Sequence, residues 1–502
     1  MPPNEQFLQL KNLLAEIADL NCAAALLGWD QQTYMPPGGA QNRGHQLATL
    51  AQIIHTKGVS KEMGELLDGV QPYVSQLDPD SFEARLVKVT RRQYEKETRV
   101  SAEWVADIAL ATTAGYDAWG KARAENDFTL FQPHLERILE LSHQYVEFFA
   151  PYEHVYDPLL DIFEPGMKTM DLKAIFSSLR PQQVALLKKI ADCPQVDDSF
   201  LHLTYDEQKQ WDFGVEILTK IGFDWKHSRL DKTLHPFTTS FGLGDVRITT
   251  RVFPNYLTSA LLGTLHEAGH AMYGLGSAPS LDRTPLFGGA SSGVHESQSR
   301  MWENLVGRSL PFWQHFYPRL QEVFPAQLGN VALESFYKGI NKVQPSFIRV
   351  EADEATYNLH IMLRMELEIG LMEGNIAIKD LPEVWKARSL EYLGVAPPDN
   401  SKGVLQDVHW STGLVGYFPS YALGNLIGAQ LWECINADIP ALPDQIRRGE
   451  FAPWLSWLRE KIHRHGAMFE PQELVERVTG SKIDPAPYMR YLEQKYRRIY
   501  GF

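Results

Sequence analysis

His266 and His270 stand four residues apart, with Glu267 directly behind the first. An α-helix stacks side chains at that spacing one turn apart on a single face, so this short segment commits the chain to a helix here. The flanking residues agree. Leu257, Leu261, Leu265, Ala268 and Met272 recur at intervals of three and four, an apolar stripe of helical period. Asn255 after Pro254 offers a start, and Gly274 and Gly276 offer stops. The two histidines lie off the stripe, on a second face of a mostly buried helix. Buried imidazoles need a polar partner. A divalent metal ion shared by both is the favoured one, and an ordinary helix with two separately satisfied histidines is the alternative. Glu267 then projects beside the ion, placed to take a proton from water.

A catalytic zinc site commonly takes three protein ligands and leaves one position open. Glu296, in His295-Glu296-Ser297-Gln298, is the favoured third ligand, at the opening of a helix-like stretch from Ser297 through Leu310. Glu303 and Asp282 compete with it. Glu303 lies two turns further on and also fits as an outer partner for a ligand histidine. The donor set suits zinc first, with cobalt and manganese also accepted.

Composition narrows the partners. The 62 acidic residues outweigh 48 basic ones, for a formal charge of −14, which argues against nucleic acid and anionic membrane. No apolar run approaches a membrane span. The first residues lack the basic and apolar regions of a signal peptide, and Cys22, Cys193 and Cys434 are too few and scattered for a disulfide framework. A cytoplasmic protein is the expectation.

Helix dominates the pattern. Phe7 to Leu27 reads as one amphipathic helix, broken after Trp29-Asp30 by Pro36-Pro37-Gly38-Gly39. Ser81 to Thr112, with Arg91, Arg92, Glu95 and Glu97, reads as one long solvated helix. Gln132 to Phe149 and Met170 to Ala191 follow the same style. No repeat or linker marks a boundary, so residues 1–502 are expected to form one mostly α-helical body. The exception is Pro236 to Phe253. There two β-rich runs flank Gly242-Leu243-Gly244-Asp245, the pattern of a hairpin. Its place just before the histidine helix favours an edge strand that binds substrate backbone over a sheet that only caps helices.

Two later clusters are rich in chemistry: Ile348 to Glu354, and Gly403 to Trp410 followed by Gly416 to Tyr421. Water attack on a peptide builds charge on the carbonyl oxygen, and His409, Tyr417 and Tyr421 could each stabilise it. Arg349 or Arg247 could hold a substrate carboxylate, although most arginines form structural pairs.

The ordered set of motifs resembles the thermostable carboxypeptidase Taq family of metallocarboxypeptidases. The chain has His235-Pro236-Phe237, then Asp245, Arg247 and Thr249 at alternate positions, then His266-Glu267-x-x-His270 and His295-Glu296-Ser297. Ile348-Arg349-x-x-Ala352-Asp353 and Gly403-x-x-Gln406-Asp407-x-His409-Trp410 follow. The segment from Trp29-Asp30 to Met35-Pro36 is similar as well. The resemblance spans essentially the whole chain.

It implies a helix-rich, neurolysin-like body with a deep groove overhung by N-terminal helices, and commonly a homodimer. It implies one divalent metal on His266, His270 and Glu296, with Glu267 as general base and later proton donor. His235, Asp245, Arg247 and Thr249 would serve the substrate cleft. Arg349 would lie in a loop that meets the substrate C-terminus. His409, Tyr417 and Tyr421 would face the scissile carbonyl. The implied activity is release of single C-terminal residues from peptides with broad specificity. Two alternatives remain: an oligopeptidase or aminopeptidase of the same chemistry, and a non-catalytic peptide-binding protein. The aminopeptidases usually carry a GxMEN-type segment, which is absent. Binding proteins tend to lose the base, and Glu267 is present.

Overall fold

The computed structural model describes residues 3–502, and 69% of it is helical when short 3₁₀ and π turns are included. The histidine segment forms a helix over Leu257–Leu275, buried on nearly every side. Of the two expected glycine stops only Gly276 acts: the helix runs through Gly274, closes after Leu275, and Gly276 caps it through main-chain bonds.

Two further helices build the site, the first packed against the histidine helix and the second packed against the first. One is Ser292–Arg300, extended by a wide π-helical turn over Met301–Val306. The other is Pro419–Asp438. Small residues set the approach. A Cβ on Gly424 would fall 2.6 Å from Cβ of Glu296. Glycine at that crossing lets the helices sit closer than any larger residue would allow. The helix start expected at Glu296 therefore lies one turn earlier. Ser291 accepts from the Val294 amide as N-cap, and Glu296 falls in the second turn.

Strands β1 (Ser228–Lys232), β2 (Thr238–Ser240) and β3 (Val246–Thr250) form one sheet in the order β1-β3-β2. β2 and β3 are the expected hairpin, paired antiparallel with Thr239 opposite Arg247. β1 runs parallel to β3 and was not expected. Its sequence, Ser228-Arg229-Leu230-Asp231-Lys232, has a single apolar residue and so lacks the usual strand signature. β2 is left as the edge that faces the groove.

The N-terminal helices differ from expectation at two points. The first is one helix that ends before Pro36 as expected, but it is longer at both ends, Pro3–Thr33. The long solvated helix is two, Phe82–Arg99 and Ala102–Glu125. Val100 is extended between them, and Ser101 caps the second by accepting from the Trp104 amide. Charge alternation continues across the break, which only the serine cap signals. The first helix, Lys61–Val74 and Phe82–Arg99 share a small apolar core with Leu281 and Leu286, separate from the main core. Of the three, Phe82–Arg99 lines the groove.

Candidate active site

His266, His270 and Glu296 converge as expected, each offering one ligand atom, all within 4.8 Å of one another. Glu296 Oε2 lies 3.7 Å from His266 Nε2 and 3.5 Å from His270 Nε2. Packing explains the convergence. A Cβ on Gly269 would fall 2.6 Å from both the Gln298 carbonyl oxygen and the Ser299 Cα, so the glycine inside the histidine motif draws the two helices together. Two nitrogens and a carboxylate oxygen at this separation fit a single divalent ion of the zinc class.

Each of the three side chains is held from behind. His266 Nδ1 meets Glu303 Oε2 at 2.8 Å, the outer-partner role the spacing suggested. Arg300 donates to Glu296 Oε1 at 2.7 Å and to Glu303 Oε2 at 3.0 Å, tying the two carboxylates along one helix face. His270 Nδ1 lies 3.2 Å from His295 Nδ1. A neutral His270 that presents Nε2 as a ligand carries its proton on Nδ1, so it donates to His295, whose own proton sits on Nε2. Burial, then the neighbouring His270, push His295 down to about 3 and keep it a neutral acceptor. Asp282 takes no part: it accepts from the Leu243 amide in the hairpin turn.

The charges fit their roles. Burial pushes Glu296 up, but Arg300 and the two histidines together outweigh it and hold the carboxyl well below the usual range. Burial opposes ionisation of Glu303 too, yet Arg300 and His266 bring it down to about 2. Both are carboxylates at neutral pH.

Glu267 is 7% exposed, and the Thr238 hydroxyl lies 2.6 Å from its Oε2 and 2.9 Å from its main-chain oxygen. Thr238 comes from the edge strand β2, so the hairpin positions the carboxylate next to the histidines. No local pattern signals this contact, because only folding brings the strand over the helix.

These groups open into a cavity of about 1060 Å³. Among the described residues, its lining includes Glu267, the three converging side chains, Thr238 to Ser240, Tyr417 and Tyr421. His409 stands behind the tyrosines, its Nε2 3.1 Å from the Tyr421 hydroxyl. Burial and Arg349 push His409 down to about 3, so it is neutral. Burial raises Tyr417 to about 12 and Tyr421 well above the ordinary value.

Several expected cleft residues sit elsewhere. Arg247 pairs with Asp245 at 2.7 and 2.9 Å and stacks 4.4 Å from the Trp29 ring, joining the sheet to the first helix. Thr249 is buried and accepts from the Phe237 amide. His235 is exposed in the approach to the hairpin. None of the four is part of the cavity lining. Arg349 is 5% exposed, with its guanidinium on Asp407 and on the Tyr357 hydroxyl. Arg364 binds the other oxygen of Asp407 at 2.7 Å. The ion pair turns Arg349 away from solvent, and its ring contact with Tyr421 at 4.8 Å places it behind the tyrosine face.

Comparison with known proteins agrees with this geometry. The chain is 43% identical to thermostable carboxypeptidase 1 of Thermus thermophilus and 37% identical to carboxypeptidase 1 of Bacillus subtilis. These matches cover 100% and 97% of each partner respectively. The crystal structure of an M32 carboxypeptidase from Deinococcus radiodurans superposes with a TM-score of 0.96 at 40% identity. It covers 99% of this chain and 100% of that one. Metallocarboxypeptidase 1 of Trypanosoma cruzi gives 0.92 at 32% identity, over 98% and 99%. The family model described as carboxypeptidase Taq (M32) metallopeptidase matches residues 9–496, and the chain belongs to that family.

Proposed function

We propose that this chain removes single residues from the free C-termini of peptides, with Glu267 as the proton-transfer group. The observation that carries the reading is the triangle of His266, His270 and Glu296, with Glu267 beside it on the same cavity. The donor set fits zinc first and also accepts cobalt or manganese. A bound divalent ion would supply Lewis-acid polarisation of water and of the scissile carbonyl.

The protein's own groups do the rest. Thr238 occupies one oxygen of Glu267, which fixes the carboxylate and leaves Oε1 to take a proton from the attacking water and pass it to the leaving amine. Tyr417 and Tyr421 keep their protons at neutral pH and can donate to the developing oxyanion. His409 holds the Tyr421 hydroxyl, and the Arg349–Asp407–Arg364 cluster backs both. β2 has a free edge along the cavity, where an extended peptide can add as a further strand. Broad tolerance for side chains follows from recognition through backbone. A homodimer and a cytoplasmic setting are part of the same reading, from the family resemblance and the free cysteines. No described helix is long and apolar enough to cross a membrane.

Two matched peptides test the reading on metal-loaded protein by mass spectrometry. One has a blocked amine and a free carboxylate, the other a free amine and an amidated end. Stepwise loss from the first alone supports it. Cleavage of the second, or internal cuts, would make the protein an aminopeptidase or oligopeptidase.

A further inference from the structure

The helix Phe82–Arg99 lines the cavity wall formed by the N-terminal helices, with Lys88, Arg92 and Lys96 at intervals of four on one face. Two of these cations are committed. Arg92 pairs with Asp161 at 2.5 Å and with Glu470 at 3.4 Å. Lys96 pairs with Asp161 as well. Lys88 is exposed to the cavity and has no ion pair or hydrogen bond among the described residues. The arginines that sequence reasoning offered to a substrate carboxylate are both engaged: Arg349 with Asp407, Arg247 with Asp245. A cavity that receives peptides with a free carboxylate therefore presents one uncommitted ammonium group on its wall.

We propose that Lys88 is a carboxylate-recognition point for the bound peptide and a determinant of which peptides the enzyme prefers. The inference rests on the carboxypeptidase reading. The carboxylate has two sources, an acidic side chain upstream of the scissile bond or the terminal carboxylate itself. A lysine binds either one as a point charge, without the fixed geometry an arginine imposes. A partly exposed pair of this kind shifts selectivity by about fivefold.

The test uses full-length, metal-loaded wild type, Lys88→Ala and Lys88→Glu. The substrates are N-blocked, fluorescently labelled peptides sharing one C-terminal residue, with Glu, Ala or Lys at successive upstream positions. A parallel set carries an amidated end. Both kcat/KM for release and Kd by anisotropy are measured. If the side chain is the source, the Glu-to-Ala ratio is about five in wild type, near one in Lys88→Ala and inverted in Lys88→Glu. If the terminal carboxylate is the source, the free-acid-to-amide ratio of Kd shows that pattern instead. Identical ratios in all three proteins for both sets overturn the proposal. Because Kd does not depend on turnover, absence of cleavage by wild type sinks the carboxypeptidase reading and leaves the Lys88 result legible.

Discussion

A methyl group placed on Gly269 would stand 2.6 Å from the carbonyl oxygen of Gln298, well inside contact distance. Both partners of that clash are main chain, so neither can swing aside. Gly269→Ala is expected to push Ser292–Arg300 off the histidine helix and separate Glu296 from the two imidazoles. Overpacking of this kind costs about 1–3 kcal/mol. The expected result is a folded protein of unchanged helicity that retains less zinc after dialysis. Unaltered zinc content and activity would mean that the crossing does not set the ligand geometry.

Glu267→Gln keeps the shape of the side chain and the acceptor that Thr238 holds, but cannot accept the proton. Turnover is expected to fall by about 10²–10⁴-fold while zinc content, measured by atomic emission, stays at wild-type level. Retention of activity would move the proton-transfer role to another group.

Glu303 meets the candidate metal triangle directly at His266, and by way of Arg300 at Glu296. Glu303→Ala removes the acceptor that fixes the His266 ring and its tautomer, and metal affinity is expected to drop by about 10–100-fold. Excess zinc should then restore much of kcat. A loss that zinc cannot restore would place Glu303 in the chemistry itself.

Two carboxyls in the main core set a pH dependence of stability. Burial raises Glu164 and Glu368 from 4.5 to about 7 each, against the hydrogen bonds they accept. The folded chain holds these protons where the unfolded chain has lost them. Stability therefore falls as pH rises from about 4.5 to about 7, and levels off above that. Each group contributes on the order of 3 kcal/mol over the window. Glu164→Gln mimics the protonated form, and its thermal midpoint should rise relative to wild type at pH 8 more than at pH 5. The same gap at both pH values would show that Glu164 is ionised throughout.

The convergence of His266, His270 and Glu296 was legible because its signals are local. Two histidines one turn apart announce themselves, and Glu296 and Glu303 share a helix face that spacing alone reveals. The groups that complete the site were not legible, because each depends on a contact between distant segments. Thr238 meets Glu267 across 29 residues, and Arg349 meets Asp407 across 58. Arg349 illustrates the limit well. Its sequence setting leaves a substrate-carboxylate role and a structural pair both open, and only the fold reveals that Asp407 occupies it. The break at Val100 and the strand Ser228–Lys232 escaped for the opposite reason. Their local signals, one serine cap and one leucine, are weaker than the charge patterns around them.

The wall that Phe82–Arg99 forms over the groove is fastened on two sides, through Arg92 and Lys96 to Asp161 and through Arg92 to Glu470. Such a roof acts as a sieve for flexibility. A chain end can be threaded beneath it only in extended form, and a compact surface offers no such end. The two fastenings, to Asp161 and to Glu470, thus hold the width of the entrance that such an end must pass.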